Sequence, residues 1–161
     1  MHYQAPAWLP GGHAQTIWPA LYARRHQGPL KPLIRERWIT PDGDFLDIDK
    51  QSASRPDRPL LVLFHGLEGS SGSHYAQAFA DWAAEQDLNW ALPHFRGCSG
   101  ELNHAPRAYH SGDHEEIHWL LQRLRREHHA LGGQTLIAAG VSLGGNALMR
   151  WAGEHLSLIH I

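Results

Sequence analysis

Short apolar runs punctuate this chain, and the spacing between them predicts its architecture. Leu60-Leu61-Val62-Leu63-Phe64 is continuously apolar, as a strand covered on both faces would be. Trp90 to Pro93 and Thr135 to Ala139 read as two further short strands, the first ended by its proline. Between these runs the period changes to that of helices. His74 to about Gln86 places Tyr75, Ala78, Phe79, Trp82 and Ala83 on one face. A second helix starting near Asp113 buries Ile117, Leu120, Leu121 and Leu124, and Gly132-Gly133 stops it. Asn146 to Trp151 is a third helical segment. Strand and helix therefore alternate from Leu60 onward, which predicts an α/β fold with a parallel sheet and helices on both faces.

Ahead of that alternation the pattern differs. Leu33 to Thr40 and Phe45 to Lys50 flank Pro41-Asp42-Gly43-Asp44, a strong turn signal, and predict an antiparallel hairpin near a sheet edge. In its second strand Phe45, Asp47 and Asp49 alternate with Leu46 and Ile48, so one face is expected to be wet. Residues 5–23 hold Pro6, Trp8, Pro10, Gly11, Gly12, Trp18 and Pro19, too interrupted for one long helix and too aromatic for a solvated tail. The expectation is an arm packing Trp8, Ile17, Trp18 and Leu21 onto the body, with a helical turn or two after His13. Arg24-Arg25-His26 reads as a solvated helix end. The division expected is an arm over 1–28, a body over 29–155 and a tail over 156–161 of non-native character.

Composition narrows the function classes. At 161 residues, 42% hydrophobic and 19% charged, the chain is one globular domain at most. A net charge of −2 gives no reason to expect nucleic acid or anionic lipid as a partner. Cys98 is the lone cysteine, which excludes an internal disulfide and fits a reducing compartment. No apolar run reaches transmembrane length and the start lacks signal-peptide features, so a cytoplasmic location is expected.

The candidate chemistry centres on Gln134 to Ala147. An apolar run ends in Gly140-Val141-Ser142-Leu143-Gly144-Gly145 and a helical segment follows, the strand–turn–helix of a nucleophile elbow. Such a turn strains the serine backbone and needs small neighbours, here Gly140, Gly144 and Gly145. His65-Gly66-Leu67-Glu68-Gly69-Ser70 follows a buried strand and precedes a helix, where backbone N–H groups make a natural anion site. A loop-bracing hydrogen bond is the expected role of His65. His114-Glu115-Glu116-Ile117-His118 matches the zinc-protease pattern His-Glu-x-x-His, but the two histidines flank the apolar face and no third ligand follows, so a solvated helix face is the expectation. Cys98 lacks an elbow of its own and reads as a small loop residue, and Asp113 as a helix-start residue.

Taken together, Trp8-Leu9-Pro10-Gly11-Gly12-His13-Ala14-Gln15-Thr16-Ile17, the His65 loop, Phe95-Arg96-Gly97-Cys98-Ser99-Gly100, Tyr109-His110-Ser111-Gly112 and the Ser142 elbow resemble the bacterial YheT-type esterases. These lie in the AB hydrolase 4 branch of the α/β-hydrolases, related to the eukaryotic AB-hydrolase-domain acylglycerol lipases. The resemblance implies the N-terminal half of an α/β-hydrolase fold, truncated after the elbow helix. It implies Ser142 as nucleophile toward a small-molecule ester with an apolar acyl group, the backbone N–H groups of Leu67 and Leu143 as oxyanion hole, and no cofactor or metal. The family's triad acid and histidine follow the serine on later strands. After Ser142 this sequence offers only Glu154, His155 and His160, within one helix and its tail. Low activity of this chain alone follows, as does an unpaired sheet edge prone to association. The alternatives from other classes are a zinc metallopeptidase built on His114, Glu115 and His118, and a non-catalytic hydrolase-like binding module.

Overall fold

A computed structural model describes residues 4–22 and 32–155, so the expectations for Arg24 to His26 and for the tail 156–161 lie outside the described residues. The elements are α1 (Gly11–Tyr22), β1 (Ile34–Ile39), β2 (Phe45–Gln51), β3 (Leu60–Phe64), α2 (His74–Glu85), β4 (Asn89–Pro93), α3 (His114–Ala130), β5 (Leu136–Gly140) and α4 (Leu143–Glu154). The strands form one sheet in the order β1-β2-β4-β3-β5. The hairpin β1–β2 is antiparallel, and β2 joins β4 antiparallel. From β4 through β3 to β5 the pairing is parallel, as the alternation predicts.

Each face of β3 has its own core, which is why its sequence is apolar throughout. Leu61 and Leu63, with Trp90 and Leu92 of β4, meet Ala76, Ala80 and Ala83 of α2. Leu60, Val62 and Phe64 meet Ile117, Leu120, Leu121 and Leu124 of α3 and Ala147 of α4. The α3 face is the one read from sequence. The α2 face is read only in part: Ala83 is buried as expected, but Ala76 and Ala80 complete the buried line, while Ala78 and Trp82 are exposed. Alanines let the helix approach the sheet closely, and Tyr75 and Phe79 pack only on its flank.

Two further expectations are corrected. The second hairpin strand has no wet face, because Asp47 and Asp49 are buried. β2 is an inner strand, and the register sets Arg37 opposite Asp47 and Arg35 opposite Asp49. Each pair is bidentate, with N–O distances of 2.7–2.9 Å. His94 Nε2 lies 2.8 Å from Asp49 Oδ2 as well. Burial raises the Asp49 pKa, but hydrogen bonds from Arg35, His94 and Ser71 outweigh it and hold the carboxyl well below its usual range. An alternation of acid and apolar residues thus marks buried ion pairs here, not solvent.

The second correction concerns the arm. It forms a helix of 12 residues with Pro19 inside, longer than a turn or two. Trp8, Ile17, Trp18 and Leu21 do not pack onto the body; they stay exposed, as does Tyr22.

Candidate functional site

Strand β5 delivers Ser142 to the C-terminal edge of the parallel sheet. Its last hydrogen bond runs from the Val141 N–H to the Phe64 carbonyl at 3.0 Å. The chain then turns: Ser142 has φ 51° and ψ −114°, and the next residue begins α4. A positive φ at a residue with a Cβ costs on the order of 1 kcal/mol and persists only where packing enforces it. Glycines provide the packing. A Cβ on Gly140 would lie 2.7 Å from Gly145, and one on Gly144 would collide with the carbonyl oxygens of Phe64 and His65. Their φ angles are ordinary, so it is space and not conformational freedom that requires glycine there. Ser142 itself is exposed at the tip of the turn. Leu143 starts the helix, so its N–H is among those a helix leaves without an internal partner.

The His65 loop meets this turn directly. A Cβ built on Gly66 would stand 3.4 Å from the Ser142 Cβ. The Tyr75 hydroxyl accepts from the Gly66 N–H at 2.9 Å, and the Gly69 N–H donates to the Gly66 carbonyl at 3.0 Å. His65 is completely buried. The Phe95 N–H donates to its Nε2 at 2.9 Å, so the ring proton sits on Nδ1 and is donated to the Gly66 carbonyl at 2.7 Å. Burial, above all, pushes this imidazole down to about 4, keeping it neutral. With both nitrogens committed to backbone, His65 braces the loop and has no lone pair left to serve as a base. Leu67 protrudes beyond it, exposed.

A third loop, between β4 and α3, closes over the second. Tyr109 stacks on Phe95 with ring centroids 5.3 Å apart and planes 9° from parallel. Its hydroxyl accepts from the Glu68 N–H at 3.0 Å and donates to Glu68 Oε1 at 2.8 Å. Glu68 has φ 52°, so the residue after Leu67 is also held in the left-handed region. Arg96, at the base of that loop, is buried among Asp42, Asp44 and Glu116. Neither Tyr75 nor Tyr109 carries a local signal for these roles, since each acts on a residue remote in sequence.

The remaining sequence candidates fall elsewhere. His114 and His118 are half-buried against α4 and do not form a solvated face: His118 Nδ1 accepts from Trp151 Nε1 at 3.1 Å, and its ring stacks on His155 at 4.1 Å. Among the described residues no group of three or more His, Cys, Asp or Glu side chains is placed to hold a metal ion. Asp113 occupies the N-cap position of α3, but its carboxylate pairs with Arg107 and not with the helix. Burial raises the Cys98 thiol, which suits a packed loop residue. Glu154 and His155 sit at the far end of α4, about 18 Å from Ser142 at the helical rise. A cavity of about 350 Å³, lined by Lys50, Leu60, Asn89, Leu124 and His128 among others, opens where β3 and β4 begin, the opposite end of the sheet from Ser142.

This sheet order, with a strained serine between a parallel strand and its helix, is the α/β-hydrolase fold. The chain is 43% identical to "Putative esterase YheT" of Escherichia coli (strain K12), over 84% of its own length and 39% of that protein's. It is 28% identical to "Phospholipase ABHD3" of Mus musculus, over 86% of this chain and 36% of the other. Among solved structures it superposes on the Pyrococcus furiosus esterase Pf2001 with a TM-score of 0.62 at 17% identity, covering 78% of this chain and 48% of that one. The chain thus spans less than half the length of these relatives. No protein-family model matches it.

Proposed function

We propose that this chain carries the nucleophile and the oxyanion hole of a serine hydrolase acting on carboxylic esters. The observation that carries the reading is the left-handed Ser142, exposed and in contact with the Gly66 loop. In this mechanism Ser142 Oγ attacks the ester carbonyl and its proton passes to a base; collapse of the tetrahedral intermediate expels the alcohol and leaves an acyl-enzyme, which water then hydrolyses. The developing oxyanion is met by the N–H groups of Leu143 and Leu67, preset by the helix start and by the braced loop. The names of the relatives, an esterase and a phospholipase, support ester substrates.

Among the described residues no histidine is hydrogen-bonded to Ser142, so we place the base outside them. His65 is locked to backbone, and His155 is a helix length away. We therefore expect the 161-residue chain alone to be a slow catalyst, with the residual rate that oxyanion stabilisation and binding provide. A fluorophosphonate probe tests both parts. Slow labelling of the chain that disappears in Ser142→Ala is expected. Labelling that persists in Ser142→Ala sinks the assignment of Ser142, and labelling as rapid as that of an intact serine hydrolase sinks the expectation of low activity.

A further inference from the structure

From Gly66 to Ser70, every backbone N–H except that of Leu67 is already taken. The Gly66 N–H donates to the Tyr75 hydroxyl at 2.9 Å, and the Glu68 N–H to the Tyr109 hydroxyl at 3.0 Å. The Gly69 N–H donates to the Gly66 carbonyl at 3.0 Å, and the Ser70 N–H to Ser73 Oγ at 3.1 Å. Between them the Leu67 N–H has no acceptor among the described residues. Two tyrosine hydroxyls thus hold the amides on either side of it.

Peptide geometry sets the direction of that amide. The peptide linking Gly66 to Leu67 is planar and trans, so the Leu67 N–H points away from the Gly66 carbonyl. That carbonyl is pinned by His65 Nδ1–H at 2.7 Å and by the Gly69 N–H. The preceding peptide, which carries the Gly66 N–H, is held by Tyr75. Gly66 has no Cβ to resist rotation between the two planes, and it stands against the Ser142 turn. The Tyr75 hydroxyl is placed from a rigid element: its ring lies in the first turn of α2 and packs on the core of Leu61, Leu63 and Trp90. A Cβ on Gly69 would run into that hydroxyl, so glycine at 69 opens the slot it occupies.

We propose that Tyr75 is a positioning residue for the ester reaction. It takes the Gly66 amide out of the oxyanion hole and fixes the Gly66–Leu67 segment so that the Leu67 N–H is the donor. Such a donor stabilises developing charge only when its aim is set in advance. The proposal rests on the reading of Ser142 and Leu67 given above, and its test tells the two apart.

In Ser142→Cys the nucleophile ionises without a base at about pH 9. The thiolate is offered p-nitrophenyl acetate, whose carbonyl oxygen becomes an oxyanion as the C–S bond forms and p-nitrophenolate then leaves. It is offered iodoacetamide separately, where sulfur displaces iodide and no oxyanion forms. Mass spectrometry of the peptide carrying position 142 removes any contribution from Cys98. The ratio of acylation rate to alkylation rate should exceed that of N-acetylcysteine. In Ser142→Cys/Tyr75→Phe it should fall about tenfold, with the alkylation rate unchanged. Phenylalanine keeps the ring in its core, and thermal unfolding checks the fold. A ratio that Tyr75→Phe leaves unchanged overturns the proposal while the Ser142 assignment stands. So does an equal loss of both rates, which would make Tyr75 a structural support only. A ratio in Ser142→Cys no higher than in N-acetylcysteine removes the oxyanion hole itself, and with it the reading on which the proposal rests.

Discussion

The Tyr109 hydroxyl grips Glu68 twice, accepting from its amide and donating to its carboxylate. That one side chain links the loop after β4 to the residue following Leu67. Replacing Tyr109 by Phe keeps the stack on Phe95 and removes both hydrogen bonds. A loss of about 1 kcal/mol is expected, read as a fall of about 2–4 °C in Tm for a chain of this size. Faster hydrogen exchange at the Glu68 amide in the variant would locate the effect.

The ion pairs beneath the hairpin predict an asymmetric cost. Asp49→Ala leaves His94 and Arg35 without their carboxylate in a buried site, which costs about 3 kcal/mol. Arg35→Ala should cost less, about 1 kcal/mol, because the Arg35 side chain is 44% exposed and its charge is screened. Urea unfolding of the two variants gives the ordering, and equal losses would contradict it.

His65 makes stability depend on pH in a defined window. Its folded value of about 4 lies below the ordinary 6.5, so between these the unfolded chain holds a proton that the folded chain does not. Its contribution is complete above pH 6.5 and is lost as pH falls toward 4, by about 3 kcal/mol. Asp42 acts lower: its hydrogen bonds with Thr40 and Arg96 set it at about 2, so its contribution is complete above the ordinary 3.8 and lost on acidification through 2. Urea midpoints measured from pH 7 to pH 4 should fall in the wild type, and less steeply in His65→Gln from its lower starting stability.

Glycine substitutions separate packing from propensity. Gly144→Ala drives a methyl group into the Phe64 and His65 carbonyls and should cost about 3 kcal/mol or more. Gly153→Ala, later in the same helix, meets nothing within 4 Å and should stabilise by about 0.5–1 kcal/mol. Thermal unfolding should show Tm shifts of opposite sign.

The β5 edge offers another test. It pairs only with β3 among the described residues, carries neither charge nor proline, and leaves Ile137 44% exposed. Such an edge is a template for pairing with another chain. Ile137→Lys should reduce concentration-dependent association in sedimentation velocity, with the fold unchanged.

Most of the scaffold was legible in the sequence because each strand and helix carries its own period. Leu60 to Phe64 could only be a doubly covered strand, and Ile117 to Leu124 only a buried helical stripe. The Ser142 turn was legible because its glycines are local. What escaped depends on partners distant along the chain. Asp47 and Asp49 look like a wet face until Arg35 and Arg37 are set opposite them by register. Trp8 and Trp18 look like core until the helix α1 and the turn before it are seen to leave them uncovered. The Tyr75 and Tyr109 hydroxyls act on Gly66 and Glu68, 9 and 41 positions away, and no local pattern announces them.

The torsion angle at Ser142 also limits which atoms evolution could place at this turn. A β-branched side chain is disfavoured further at φ 51°, so threonine would strain the turn more than serine does. Cysteine has the unbranched shape the backbone accepts. The backbone at this turn therefore accepts a nucleophile on an unbranched side chain, a hydroxyl, a thiol or a carboxylate, and disfavours one on a β-branched side chain.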